Sequence, residues 1–224
     1  MLAKSLNILL ACILLLFGCC CLGIPVVQHN MRPEFSAGDP NPCISAPCIS
    51  ILDTGNPDED LASGGIVWSN QSLGIRFRFL DVFANGSLLS ITSVLSTSRV
   101  DTSSGKNSVV FSLCRENALL MAPDTSRCIC NASFKLVSTH RVKLTWSPTQ
   151  NIVLHKGQFY WFVVRGDGGS EETSFTWLDG SDKLAPSSDA LVISSHSTDG
   201  VNWTVDSSAD GKTELPTTLI LVRR

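Results

Sequence analysis

The chain has 224 residues, a formal charge of −3 and only 17% charged side chains against 43% hydrophobic ones. That mildly acidic balance, with no basic cluster, argues against a nucleic-acid partner held through phosphate contacts. The length admits one large domain with a substantial core, or one domain and a tail.

Lys4 precedes an almost unbroken apolar run from Ile8 through Leu16 and Phe17 to Val27. A positive charge, an apolar stretch and then small residues at Cys21 and Gly23 are the layout of a secretory signal cleaved before Ile24. Residues 1–23 are therefore expected to be a signal peptide, and the mature chain to be secreted into an oxidising, glycosylating compartment. The run is also about as long as a bilayer is thick, so the alternative is an uncleaved anchor over residues 5–27. That segment is the only membrane contact the sequence predicts. Cys19, Cys20 and Cys21 offer lipidation if it stays in the membrane. Four Asn-x-Ser/Thr triplets, at Asn70, Asn85, Asn131 and Asn202, are acceptors for N-glycans in such a pathway.

Residues 24–63 read as a linker. Pro33, Pro40, Pro42, Pro47 and Pro57 block helix and remove ladder donors, and Asp58-Glu59-Asp60 adds charge near its end. Of nine cysteines four lie in the leader, and Cys43, Cys48, Cys114, Cys128 and Cys130 remain. Cys43 and Cys48 enclose a short Pro-containing loop that a disulfide would staple. Cys114 is expected to pair with Cys128 or Cys130, leaving one thiol over. Cys128-x-Cys130 has no second pair at metal spacing, so disulfides are expected rather than zinc.

From Gly64 to Arg224 the texture is that of one β domain. Gly74–Leu80 sets Ile75, Phe77 and Phe79 against Arg76 and Arg78, the period-2 pattern of a half-buried strand. Leu88–Leu95, Ser108–Leu113, Phe134–Val137, Val142–Trp146, Ile152–Leu154, Gln158–Val164, Ser174–Trp177, Ala190–Ser194, Trp203–Val205 and Thr218–Val222 follow, between Gly, Asp and Ser turns. The longest helical candidate is Arg115–Met121. Short strands at this spacing predict an all-β fold, a single β-sandwich of jelly-roll-like type behind the N-terminal signal or anchor helix and the linker.

Ile152-Val153-Leu154 followed by Lys156-Gly157-Gln158-Phe159-Tyr160-Trp161-Phe162-Val163-Val164 resembles the "L-x-x-G-x-x-Y-W-x-V" strand of choice-of-anchor extracellular β-sandwich modules. Leu89–Ser98 with Ser108–Arg115 resembles the paired strands of those modules, and Trp177 falls where they carry an aromatic strand. Ser197-Thr198-Asp199-Gly200-Val201-Asn202-Trp203-Thr204 is similar to a turn of discoidin-type lectin sandwiches. The resemblance spans residues 64–224 and implies an extracellular binding module. The chain departs from the first family in ending at Val222-Arg223-Arg224, without a hydrophobic sorting tail.

Few residues suggest chemistry. Asp53-Thr54-Gly55 copies half of an aspartic-protease dyad, which needs a second such loop so that two carboxylates share a proton; none occurs. Arg165-Gly166-Asp167 spells the minimal integrin ligand and is expected at a loop apex after an apolar strand. Trp177 and Trp203 would stack on sugar rings if exposed. The acidic turns Asp58-Glu59-Asp60, Asp179/Asp182 and Asp206/Asp210 could hold a structural calcium, the sole cofactor considered. The four histidines form no metal or triad pattern, and His155 reads as a surface residue. The expectation is a secreted or surface-displayed, non-catalytic binding or structural module for an extracellular glycan or protein. A cell-adhesion ligand through Arg165 and Asp167, or a protease at Asp53, is the alternative.

Overall fold

Strands and turns, with no α-helix, make up the residues that the computed structural model describes: 29–30, 48–57, 63–80, 85–101, 103, 107–137, 140–168, 170–181, 193–205 and 215–223. The strands run β1 His29–Asn30, β2 Cys48–Asp53, β3 Gly64–Val67, β4 Ser72–Arg78, β5 Gly86–Ser96, β6 Ser108–Asn117 and β7 Ala122–Lys135. Then follow β8 Val142–Trp146, β9 Val153–Leu154, β10 Phe159–Asp167, β11 Phe175–Leu178, β12 Ile193–Ser197, β13 Thr204–Val205 and β14 Leu219–Arg223. A 3-10 turn at Glu171–Thr173 separates β10 from β11. The leader, Cys43, Asp58-Glu59-Asp60, Asp182, Asp206 and Asp210 lie outside the described residues.

All pairings are antiparallel and fall into two sheets. In the first, β5 is central. It pairs with β8 and β9 along one edge and with β14 and β11 along the other, and β1, β2 and β3 extend it outward. The second runs β13-β12-β4-β10-β6-β7. One apolar cluster joins them, which is the two-layer arrangement expected of a β-sandwich. Alternation decides which side chains enter it: Ile75 and Phe77 from β4, Tyr160, Phe162 and Val164 from β10, and Phe111 and Leu113 from β6. Phe162 meets Phe111 edge-on at 5.0 Å and Trp177 of the other sheet at 5.4 Å, tying the layers at their centre.

Three segments differ from the sequence reading: His29–Asn30, inside the segment read as linker, pairs with β8. Cys48–Asp53, inside the segment read as linker, is a strand whose partner is β14, so residues far apart in the chain share an edge of the first sheet. Leu52 supplies the reason, because it is buried in the common core. Arg115–Met121 is not helical. β6 runs on to Asn117, a turn follows, and β7 returns from Ala122. Long-range pairing with β10 overrides the local helical preference of Glu, Ala, Leu and Met.

Candidate functional site

The outer face of the second sheet carries a second small core. Trp161 and Val163 of β10 and Cys114 of β6 are buried there, with Cys128 and Trp203 packed against them. Cys114 and Cys128 are cross-strand neighbours and form a disulfide, one of the two pairings the sequence allowed. A loop of this size contributes about 3 kcal/mol by restricting the unfolded chain. Cys130 lies one register step away but faces the main core, where it keeps a buried thiol. Cys48 is also disulfide-bonded.

Arg76 projects onto the same outer face and is almost fully buried. Its guanidinium makes a two-pronged contact with Glu116, through Nε to Oε2 and through Nη2 to Oε1 at 2.8 Å. The Trp161 indole N–H donates to Glu116 Oε2 at 3.3 Å, and Arg76 stacks 3.6 Å over the Phe159 ring. A buried cation is tolerable only when paired in this way, and the pair consumes Glu116.

A surface depression lies at the end of the second sheet from which β10 starts. The ends of β4, β6 and β10 meet there with the β9–β10 turn and the β6–β7 turn. Arg115, His155, Gln158 and Tyr160 line this solvent-open depression of about 430 Å³. Tyr160 forms its floor, and its hydroxyl accepts from the His155 backbone N–H at 2.7 Å. Burial pushes the Tyr160 pKa up, although the His155 hydrogen bond and the Arg115 charge pull it down, so the group stays a neutral donor. Among the described residues no carboxylate lines the depression. Its one charged lining side chain among the described residues is the Arg115 guanidinium, which suits a ligand bearing negative charge.

The residues singled out from sequence fall elsewhere. Trp177 is fully buried and donates its indole N–H to the Thr217 carbonyl at 3.0 Å, so it has no face for a sugar. Trp203 is partly buried over Gly74 and Trp161. Arg165-Gly166-Asp167 is not at a loop apex. It is the end of β10, paired residue by residue with Val110, Val109 and Ser108 of β6. Arg165 and Asp167 point outward from this extended strand, and Asp167 accepts from the Ser108 hydroxyl at 3.0 Å. Asp53 closes a small turn by accepting from the Gly55 N–H at 3.0 Å. Thr54 is buried, its hydroxyl accepting from the Thr218 N–H at 2.7 Å and donating to Pro216 O at 2.9 Å. This makes Asp53-Thr54-Gly55 a clasp between β2 and β14, with one carboxylate and no partner loop. Among the described residues no three His, Cys, Asp or Glu side chains come together as a metal site. Asn70, Asn85, Asn131 and Asn202 are all solvent-exposed.

Sequence reasoning passed over Arg115, Gln158 and Tyr160 and gave His155 no role. The one available signal was the pairing of Gln158 and Tyr160 with a Gly turn at the start of an apolar strand, which says nothing of Arg115 arriving from β6. No protein-family model matches the chain, and no curated protein matches it significantly.

Proposed function

We propose that this chain is a secreted, N-glycosylated, non-catalytic binding module of the extracellular jelly-roll-like kind, with its ligand seated in the depression where β6 and β10 meet the β9–β10 turn. The observation that carries this reading is the depression lined by Arg115, His155, Gln158 and Tyr160, where the exposed Arg115 and Gln158 side chains offer donors and no described carboxylate forms part of the lining. Such a lining suits an acidic glycan, whose carboxylate or sulfate pairs with the Arg115 guanidinium while ring hydroxyls reach Gln158 and the Tyr160 hydroxyl. Binding would need no chemistry from the protein, and Asp53 is committed to a turn.

The test is retention of the purified protein on an array of neutral and acidic glycans. Preferential capture by acidic members, lost on Arg115→Ala and reduced on Gln158→Ala, is the expected result. Both side chains are exposed, so the variants should keep the parent's thermal midpoint. Capture that is indifferent to both substitutions, or no capture at all, would reject the assignment.

A further inference from the structure

The β6–β7 turn breaks the rule that hairpin tips are polar. Leu119, Leu120 and Met121 are consecutive there, and they are 94%, 65% and 45% exposed. Gly, Asn or Asp would ordinarily fill such a turn, above all at Met121, whose φ of +48° lies in the left-handed region. The turn is nevertheless tied down. The Asn117 side chain accepts from the Leu119 N–H at 3.1 Å, and its carbonyl accepts from the Leu120 N–H at 3.1 Å. The apolar side chains are therefore held outward. Leu80, at the exit of β4 on the same end of the sheet, is exposed as well.

Exposed cations lie at the same end of the sheet as this tip. Arg115, His155 and Lys156 are exposed at the same end; of the described acids in this hairpin, Glu116 is taken up by Arg76 and Trp161, and Asp124, opposite Arg115 in the ladder, accepts from Ser126 and meets Arg127 at 3.4 Å. An apolar apex with cations at the same end is complementary to an anionic phospholipid surface, where side chains enter the acyl boundary and cations meet headgroup phosphates. Its size argues against another protein. Three side chains offer far less than the roughly 800 Å² per partner that a stable protein interface needs, whereas a bilayer demands no matching area. Asn117 lies about 7 Å beyond the Arg115–Asp124 pair along the strand, so a tip reaching the acyl boundary leaves Arg115 at the phosphate level.

We propose that the Leu119-Leu120-Met121 tip docks this protein on membranes rich in anionic phospholipid, independently of any N-terminal anchor and of the glycan reading. The test is co-sedimentation of the purified chain from residue 24 onward with pure phospholipid vesicles, phosphatidylcholine with or without phosphatidylserine, which contain no glycan. Sedimentation should require phosphatidylserine and weaken as salt is raised. The partition constant should fall by roughly tenfold or more for the Leu119→Ser, Leu120→Ser double variant. Both positions are exposed, and an unchanged thermal midpoint confirms that the variant folds. Sedimentation unaffected by the double substitution, or absent for the parent, overturns the proposal. So does a parent that self-associates through the tip, seen as a mass in solution that the substitution halves.

Discussion

Asp199 shows how much one side chain can organise. Its carboxylate accepts from the backbone N–H groups of Val201 at 2.8 Å and Asn202 at 2.7 Å, from Asn202 Nδ2 at 2.7 Å, and from the Ser197 hydroxyl at 3.1 Å. Those bonds, the Asn202 backbone first and then Val201, hold its pKa well below the usual carboxylate range. A depressed carboxylate stabilises the fold above its unfolded pKa of about 4, and that contribution is lost as pH falls through the folded value. Asp199→Ala should therefore lower the thermal midpoint at neutral pH, and the gap to the parent should close progressively below about pH 4. A gap constant across that range would mean that the carboxylate's charge is not what orders the turn. The same turn delivers Trp203 onto the outer face of the second sheet, because the chain leaves Gly200 at φ +73° and doubles back into β13. The turn itself was visible in Ser197-Thr198-Asp199-Gly200; the surface it covers was not.

At the scale of single elements, β10 decides most. It is the centre of its sheet, flanked by β4 and β6, and it is buried on both faces for much of its length. Its inward side chains join the main core, and its outward ones lie beneath Trp203 and the Cys114–Cys128 disulfide. Gly166 near its end is a packing requirement. A Cβ there would stand 2.8 Å from the Trp68 Cα and 2.9 Å from its carbonyl carbon, both backbone atoms that cannot swing aside. Gly166→Ala should cost roughly 1–3 kcal/mol in denaturant unfolding, with the slope unchanged. A neutral result would indicate that the turn carrying Trp68 yields freely. The glycine of Arg165-Gly166-Asp167 thus has a structural reason to be there, and the tripeptide can occur without any adhesion role. β2 teaches the complementary lesson. Its Cys-Ile-Ser-Ile-Leu-Asp run is strand-like, but the neighbouring prolines made the whole segment read as linker. Only β14, arriving from the far end of the chain, gives it a partner.

For the whole molecule, the reading as an exported module makes a direct prediction. Expressed in a eukaryotic cell, the protein should appear in the medium beginning near Ile24, and its mass should drop on enzymatic removal of N-glycans. Asn70→Gln, Asn85→Gln, Asn131→Gln and Asn202→Gln should each report whether that position is used. A chain found intact in the cytosol, unglycosylated and with reduced cysteines, would end that reading and the glycan proposal with it. The vesicle experiment would stand untouched, since it uses purified protein and pure lipid. What the sequence by itself determined is the class of structure: residue alternation over runs such as Gly74–Leu80 places strands, and turn residues end them, because both effects act between near neighbours. The cross-strand disulfide was narrowed to two choices on the same ground. Tertiary structure alone decided which exposed groups share a surface. Arg115 meets Tyr160 across a strand pair separated by dozens of residues, Trp177 disappears into the core, and Leu119–Met121 is left outside. Burial and juxtaposition depend on which strands pair, and pairing is settled by the packing of the entire core rather than by any local stretch of chain.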